Sequence, residues 1–185
     1  MRNQWVIGDV NFHTPTLQGF LSNPMSANMG DVTEESQDFA VEAWHEDGRW
    51  SLAALPDPDD LTHIIERLKK QQTNGGAVAL IAIDEEFFMA IRVLGTHIKY
   101  FLSDISAALD YEVAAEFLEI ADIDAPEEDD EPLPAGDIDI FSDLGLAQME
   151  LSTLCDDADL FPDEILEAIA NRLGFGEQFA EVLES

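Results

Sequence analysis

The sequence predicts an α+β fold, an antiparallel five-stranded sheet with flanking helices followed by a small C-terminal helical module. Three observations carry this expectation. Residues 39–55 hold two runs of branched and aromatic residues on either side of a Gly-containing turn. Residues 77–104 hold three apolar runs separated by two short turns. Beyond residue 137 the apolar positions change to helical spacing.

In chain order, "FAVEAWH" and "RWSLAAL" flank "EDG" and read as a β-hairpin. In "PDPDDLTHIIERLKKQQTNGG", Asp57 is placed to cap a helix, Pro58 suits its first position, and Lys69 and Lys70 occupy its last turn ahead of Gly75 and Gly76. Leu61, Ile64, Ile65 and Leu68 then share one face. "AVALIAID" is too continuously apolar for a strand with one wet side, so it reads as a central strand covered on both faces. "FFMAIRVL" and "HIKYFLSD" complete a meander, and "ISAALDYEVAAEFLEIAD" repeats Val113, Phe117, Leu118 and Ala121 with helical spacing. The resulting order, β-β-α-β-β-β-α over 39–121, resembles the roadblock and profilin-like pattern of a five-stranded antiparallel sheet with helices packed against it.

Residues 122–137 interrupt this periodicity with Glu127, Glu128, Asp129, Asp130 and Glu131 set among Pro126, Pro132 and Pro134, without Lys or Arg. Like charges and prolines extend a chain, so the stretch reads as a self-repelling, stiffened linker. The helical module spans 138–185. Pro162, Asp163 and Glu164 start a helix whose Ile165, Leu166, Ile169 and Leu173 line one face; Gly174 suits a left-handed C-cap with Phe175 folding back. So short a helical segment makes too small a core to stand alone, which predicts packing on the sheet or on a partner. The candidate partner-binding residues are the apolar Phe141, Leu144, Met149, Leu160, Phe161, Phe175 and Phe179, together with the five acids of the linker. Residues 1–38 carry Pro15, Pro24 and Gly30 and no sustained period, so a poorly ordered leader is expected, with the natural product beginning near Met29.

Charge narrows the function. The 185 residues include 40 acidic and 8 basic ones, for a net charge of −32. Met1–Lys99 carries 15 acids and 7 bases, whereas Tyr100–Ser185 carries 25 acids and Arg172 alone as a base. Nucleic-acid affinity comes largely from cations that displace counterions from phosphates, so direct RNA or DNA binding is not expected. The same field repels anionic membranes and steers the chain toward basic protein surfaces. A single cysteine, Cys155, excludes an internal disulfide and fits a reducing cytoplasm; flanking acids disfavour its thiolate, so it reads as a packing residue.

Catalytic and metal motifs fail on spacing. An EF-hand loop needs Gly at its sixth position and Glu at its twelfth. Counting from Asp122 finds Glu127 and Leu133 there, and counting from Asp157 finds Pro162 and Ala168. Asp84, Glu85 and Glu86 are the best-placed carboxylates for acid–base work, yet they occupy a strand-to-strand turn where solvation is expected and a perturbed pKa is not. His13, His45, His63 and His97 are scattered, and neither G-x-S-x-G nor a phosphate-binding loop occurs. No catalytic residue, metal or cofactor is expected.

Several blocks together resemble one bacterial family: "FAVEAWHEDGRWSLAALP", "GGAVALIAIDEEFFMAIRV", "YFLSDISAALDYEVAAEFLE", the acidic Pro-rich break, and "LFPDEILEAIANRLGFGEQFAEVL". They are similar to the tRNA adenosine deaminase-associated proteins over about Phe39 to Leu183. The resemblance implies a partner or pathway, the deaminase that makes inosine in tRNA, without establishing an activity. The chain itself lacks the deaminase chemistry, an H-x-E followed by P-C-x-x-C around zinc: His45 is followed by Glu46 and Asp47, and one cysteine cannot supply the second half. The expectation is a non-enzymatic acidic adaptor or regulator. The alternative is a self-associating roadblock-like scaffold, in its simplest form a homodimer, unrelated to tRNA modification.

Overall fold

The computed structural model describes residues 38–71, 73, 75–128 and 131–185, so the expected Met29 start and all of the expected leader but Asp38 lie outside the described residues. The described residues belong to one compact unit. Its sheet is antiparallel throughout, in the order β2-β1-β3-β4-β5-β6, with β1 Phe39–Glu46, β2 Arg49–Leu55, β3 Ala77–Ile83, β4 Phe87–Leu94, β5 His97–Leu102 and β6 Ala135–Gly136. The expected element order holds through residue 121, but the sheet has six strands instead of five. The extra strand is only two residues long and comes from the stretch expected to be linker. Gly136 makes it feasible: at φ 91° a side chain there would put a Cβ 2.2 Å from the Tyr100 carbonyl oxygen, so only glycine allows this approach to β5.

The first hairpin closes through Asp47 and Gly48, both at positive φ, a two-residue turn whose twist matches that of the strands it joins. β3 is buried along all seven residues, as its unbroken apolar run predicts. Helix α1, Leu61–Lys70, starts three residues later than Pro58 suggested. Asp60, rather than Asp57, is the cap: its Oδ1 accepts from the His63 N–H at 2.9 Å, and this start turns Leu61, Ile64, Ile65 and Leu68 onto the sheet. The helical pattern after β5 divides into a 3₁₀ turn, Ile105–Leu109, and α2, Glu112–Ala121. Asp104 holds the first piece by accepting from the Ser106 N–H at 2.8 Å, and extended Tyr111 separates the two. α2 buries Ala114, Phe117 and Leu118, while Val113 is only partly covered.

α1 and α2 cover one face of the sheet, and α3 Gln148–Cys155, α4 Pro162–Leu173 and α5 Gly176–Leu183 form a layer on the other. On this second face Phe141, Leu166, Ile169, Phe175 and Phe179 interlock with Val41, Val78, Leu80, Phe88 and Phe101 of the strands. Fully burying an aromatic or aliphatic side chain stabilises by about 1.5–3 kcal/mol, so the second face contributes as fully as the first.

A buried cation fastens the segment that enters this layer. Arg92 of β4, 3% exposed, donates to the Ile140 carbonyl at 2.8 Å, to Gly75 O at 3.3 Å, and to both carboxylate oxygens of Asp143. That hydrogen-bonded guanidinium holds the Asp143 carboxyl below the usual carboxylate range.

Candidate protein-docking surface

The outer side of the helical layer follows from three local patterns. α4 begins with Pro162, whose missing N–H costs nothing at a first position, and Glu164 Oε2 accepts from the Phe161 N–H at 2.9 Å. It ends at left-handed Gly174 (φ 89°), after which the Phe175 N–H returns to Ala170 O at 3.0 Å and the ring enters the core. α3 contributes only Leu151 as a buried residue of its own, so it lies against α4 along a narrow line and leaves the rest of its apolar surface outside.

The result is a groove of about 550 Å³, lined by Leu146, Ala147, Met149, Glu150, Thr153 and Leu154 on one side and by Ala168 and Arg172 on the other. Met149 is 82% exposed, a flexible apolar side chain standing at the rim of the trough. Glu150 and Arg172 pair at 2.8 Å and link α3 to α4 at the groove. Exposed acids continue along the helical layer at Asp156, Asp157, Asp159, Asp163, Glu164 and Glu167.

A second cavity, about 210 Å³, lies at the start of α4. Glu85, Glu86, Asp104, Asp156 and Asp157 contribute to its lining alongside apolar Phe88, Leu160, Pro162 and Ile165. A third, about 250 Å³, gathers Arg92, His97 and Lys99 with Asp139 and Asp143, where Lys99 and Asp139 pair at 2.9 Å.

The residues singled out from sequence fall into separate places. Phe141, Phe175 and Phe179 are fully buried against the sheet, and Leu144 and Leu160 are half-buried beside them. Met149 and the 52%-exposed Phe161 remain at the surface, as do Glu127, Glu128 and Glu131; Asp129 and Asp130 lie outside the described residues. The groove residues Glu150, Thr153, Ala168 and Arg172 were not foreseen, although the one cation of the back half, Arg172, was a signal available in the sequence.

Asp84, Glu85 and Glu86 are exposed at the turn between β3 and β4, and so lack the burial an acid–base pair needs. Among the described residues no group of three or more His, Cys, Asp or Glu side chains is arranged to hold a metal ion, and no helix is long and apolar enough to cross a membrane. Burial, reinforced by the charge of Asp156, pushes the Cys155 thiol up to about 12. At pH 8 only roughly one molecule in ten thousand then carries the thiolate. Cys155 is therefore expected to resist a disulfide thiol reagent at pH 8 in the native protein and to react promptly once urea unfolds it. Rapid native labelling would contradict that burial.

No solved structure matches the chain. It is 36% identical over 152 residues to "Protein Rv3753c" of Mycobacterium tuberculosis (strain ATCC 25618 / H37Rv), an alignment covering 79% of this chain and 87% of that relative. Residues 38–176 match the family model described as "Rv3753c-like tRNA adenosine deaminase-associated protein", a span running from the start of β1 to the first residue of α5 and so including the sheet, α1 to α4 and the groove. The chain belongs to the Rv3753c-like tRNA adenosine deaminase-associated protein family.

Proposed function

We propose that the protein is a non-catalytic acidic adaptor or regulator that docks on a basic surface of the tRNA adenosine deaminase. The observation that carries this reading is the α3–α4 groove, where exposed Met149 lies in an apolar trough beside an acidic face. An apolar centre with a charged surround is the anatomy of a transient protein interface, in which the centre supplies affinity and the surround supplies steering. The family's name supplies the partner. An enzyme that binds anionic tRNA needs basic surface, and a chain of charge −32 complements it. On this reading the protein works in the cytoplasm, where tRNA is modified, without contacting nucleic acid itself.

The test is co-expression of the full chain with the deaminase of the same organism, followed by binding and inosine-formation assays across a salt series. Binding is expected to weaken as salt rises, to change inosine output, and to fall about tenfold in Met149→Asp, which leaves the fold intact because the side chain is outside the core. No complex at any ionic strength, with the deaminase equally active alone, would defeat the proposal.

A further inference from the structure

The two edges of the sheet are treated differently. At the β5 edge the chain itself covers the second half of the strand: β6 pairs with Phe101 and Leu102, and Asp137 brackets Tyr100, its Oδ2 accepting from the Tyr100 N–H at 2.9 Å and its own N–H donating to Tyr100 O at 2.6 Å. The β2 edge has no such cover.

The hairpin register identifies which groups it leaves open. Glu46 faces Arg49 across the two-residue turn, so Arg49, Ser51, Ala53 and Leu55 direct their N–H and C=O groups to β1, and Trp50, Leu52 and Ala54 direct theirs away from the sheet. Among the described residues no hydrogen bond reaches these outward groups. Natural edges are usually blunted by lysine, proline, a bulge or an inward-pointing charge. β2 has none of these from Trp50 to Leu55, in a chain whose surface is otherwise dense with carboxylates.

We infer that the β2 edge is a homodimer interface, in which two copies pair β2 antiparallel about a two-fold axis through Leu52 and join two six-stranded sheets into one continuous sheet. The strand is self-complementary in that arrangement. Leu52 meets the second copy's Leu52, and bulky Trp50 meets small, exposed Ala54, each facing closed by a reciprocal pair of backbone hydrogen bonds. Arg49 is the charge on which the pairing depends. Arg49, exposed and in no ion pair among the described residues, begins the strand and comes within reach of the second copy's exposed Asp57 and Asp59 beyond the other end; the same register sets exposed Asp47 opposite Asp57, so Arg49 is the cation that offsets acid on both copies at each end. The stretch between them is uncharged, the one kind of surface on which two chains of net charge −32 can approach.

The inference is independent of the deaminase and has the opposite salt response. Added salt screens the repulsion between two like-charged copies and is expected to tighten the dimer, whereas it loosens docking on a basic partner.

The experiment is sedimentation of the full chain over a concentration and salt series, with Ala54→Pro and Arg49→Glu beside the wild type. Proline at 54 removes an outward N–H and no bond to β1; Arg49→Glu sets acid against acid. Each is expected to weaken dimerisation by at least about tenfold while the circular dichroism spectrum and unfolding midpoint stay near wild type. Hydrogen exchange supplies a local readout: the Trp50, Leu52 and Ala54 amides become protected as dimer forms. A monomer at every accessible concentration and salt, or a dimer that a folded Ala54→Pro variant leaves unchanged, overturns the inference. If Ala54→Pro does not fold, the dimer's response to Arg49→Glu decides.

Discussion

Phe175→Ala is expected to cost the fold about 3–5 kcal/mol, measured as a lower urea midpoint with an unchanged slope. The ring is wholly buried, 4.7 Å between centroids from Trp50 of β2, directly after the turn that ends α4. Removing it empties a site bounded by a strand on one side and by two helices on the other, neither of which can move in without breaking its own register. The loss should appear as a single transition reported equally by helix and by sheet probes, because the second face of the sheet and the helices share one apolar cluster. If helical signal were lost first, with sheet signal persisting to higher urea, the two layers would be separable and the account of a shared core would be wrong.

Arg67→Met is expected to cost about 3 kcal/mol. Glu42 of β1 is 1% exposed, and Arg67 of α1 meets both of its carboxylate oxygens, with Nε at 3.3 Å from Oε2 and Nη2 donating to Oε1. Deleting the cation leaves a carboxylate in an apolar layer with nothing to neutralise it, which is why breaking such a pair costs far more than the pair contributes over a hydrophobic replacement. The double variant Glu42→Leu, Arg67→Met should therefore recover to within about 1 kcal/mol of wild type. A single-variant cost below about 1 kcal/mol, with no recovery in the double, would mean that the pair is not the partner Glu42 depends on.

What was legible in the sequence was local. The hairpin turn at Asp47–Gly48, the double burial of β3, and the start and stop of α4 each rest on residues adjacent in the chain, where turn chemistry and periodicity act directly. The cap of α1 was misplaced because Asp57 and Asp60 are both good caps, and only the sheet beneath chooses between them by fixing where Leu61 must point. β6 was hidden because two residues have no period and its partner is more than thirty residues away. The docking groove was only half readable. Phe161 and Phe175 look alike in sequence, one at each end of the same helix, yet one is 52% exposed and the other is buried, since the backbone turns outward before Pro162 and inward after Gly174. Thr153 and Ala168 line the groove because they are small, and smallness leaves no pattern to find.

The two-faced sheet also sets an order of events during synthesis. β1, β3 and β4 leave the ribosome before any of α3, α4 and α5, so each nascent chain passes through a stage in which Val41, Leu80 and Phe88 have no cover on their outer side. Contacts far apart in sequence are slow to close, and uncovered strands associate readily with one another. Yield in a cell should therefore depend on how quickly translation proceeds from β4 to α5, and on whether a chaperone occupies that face in the interval.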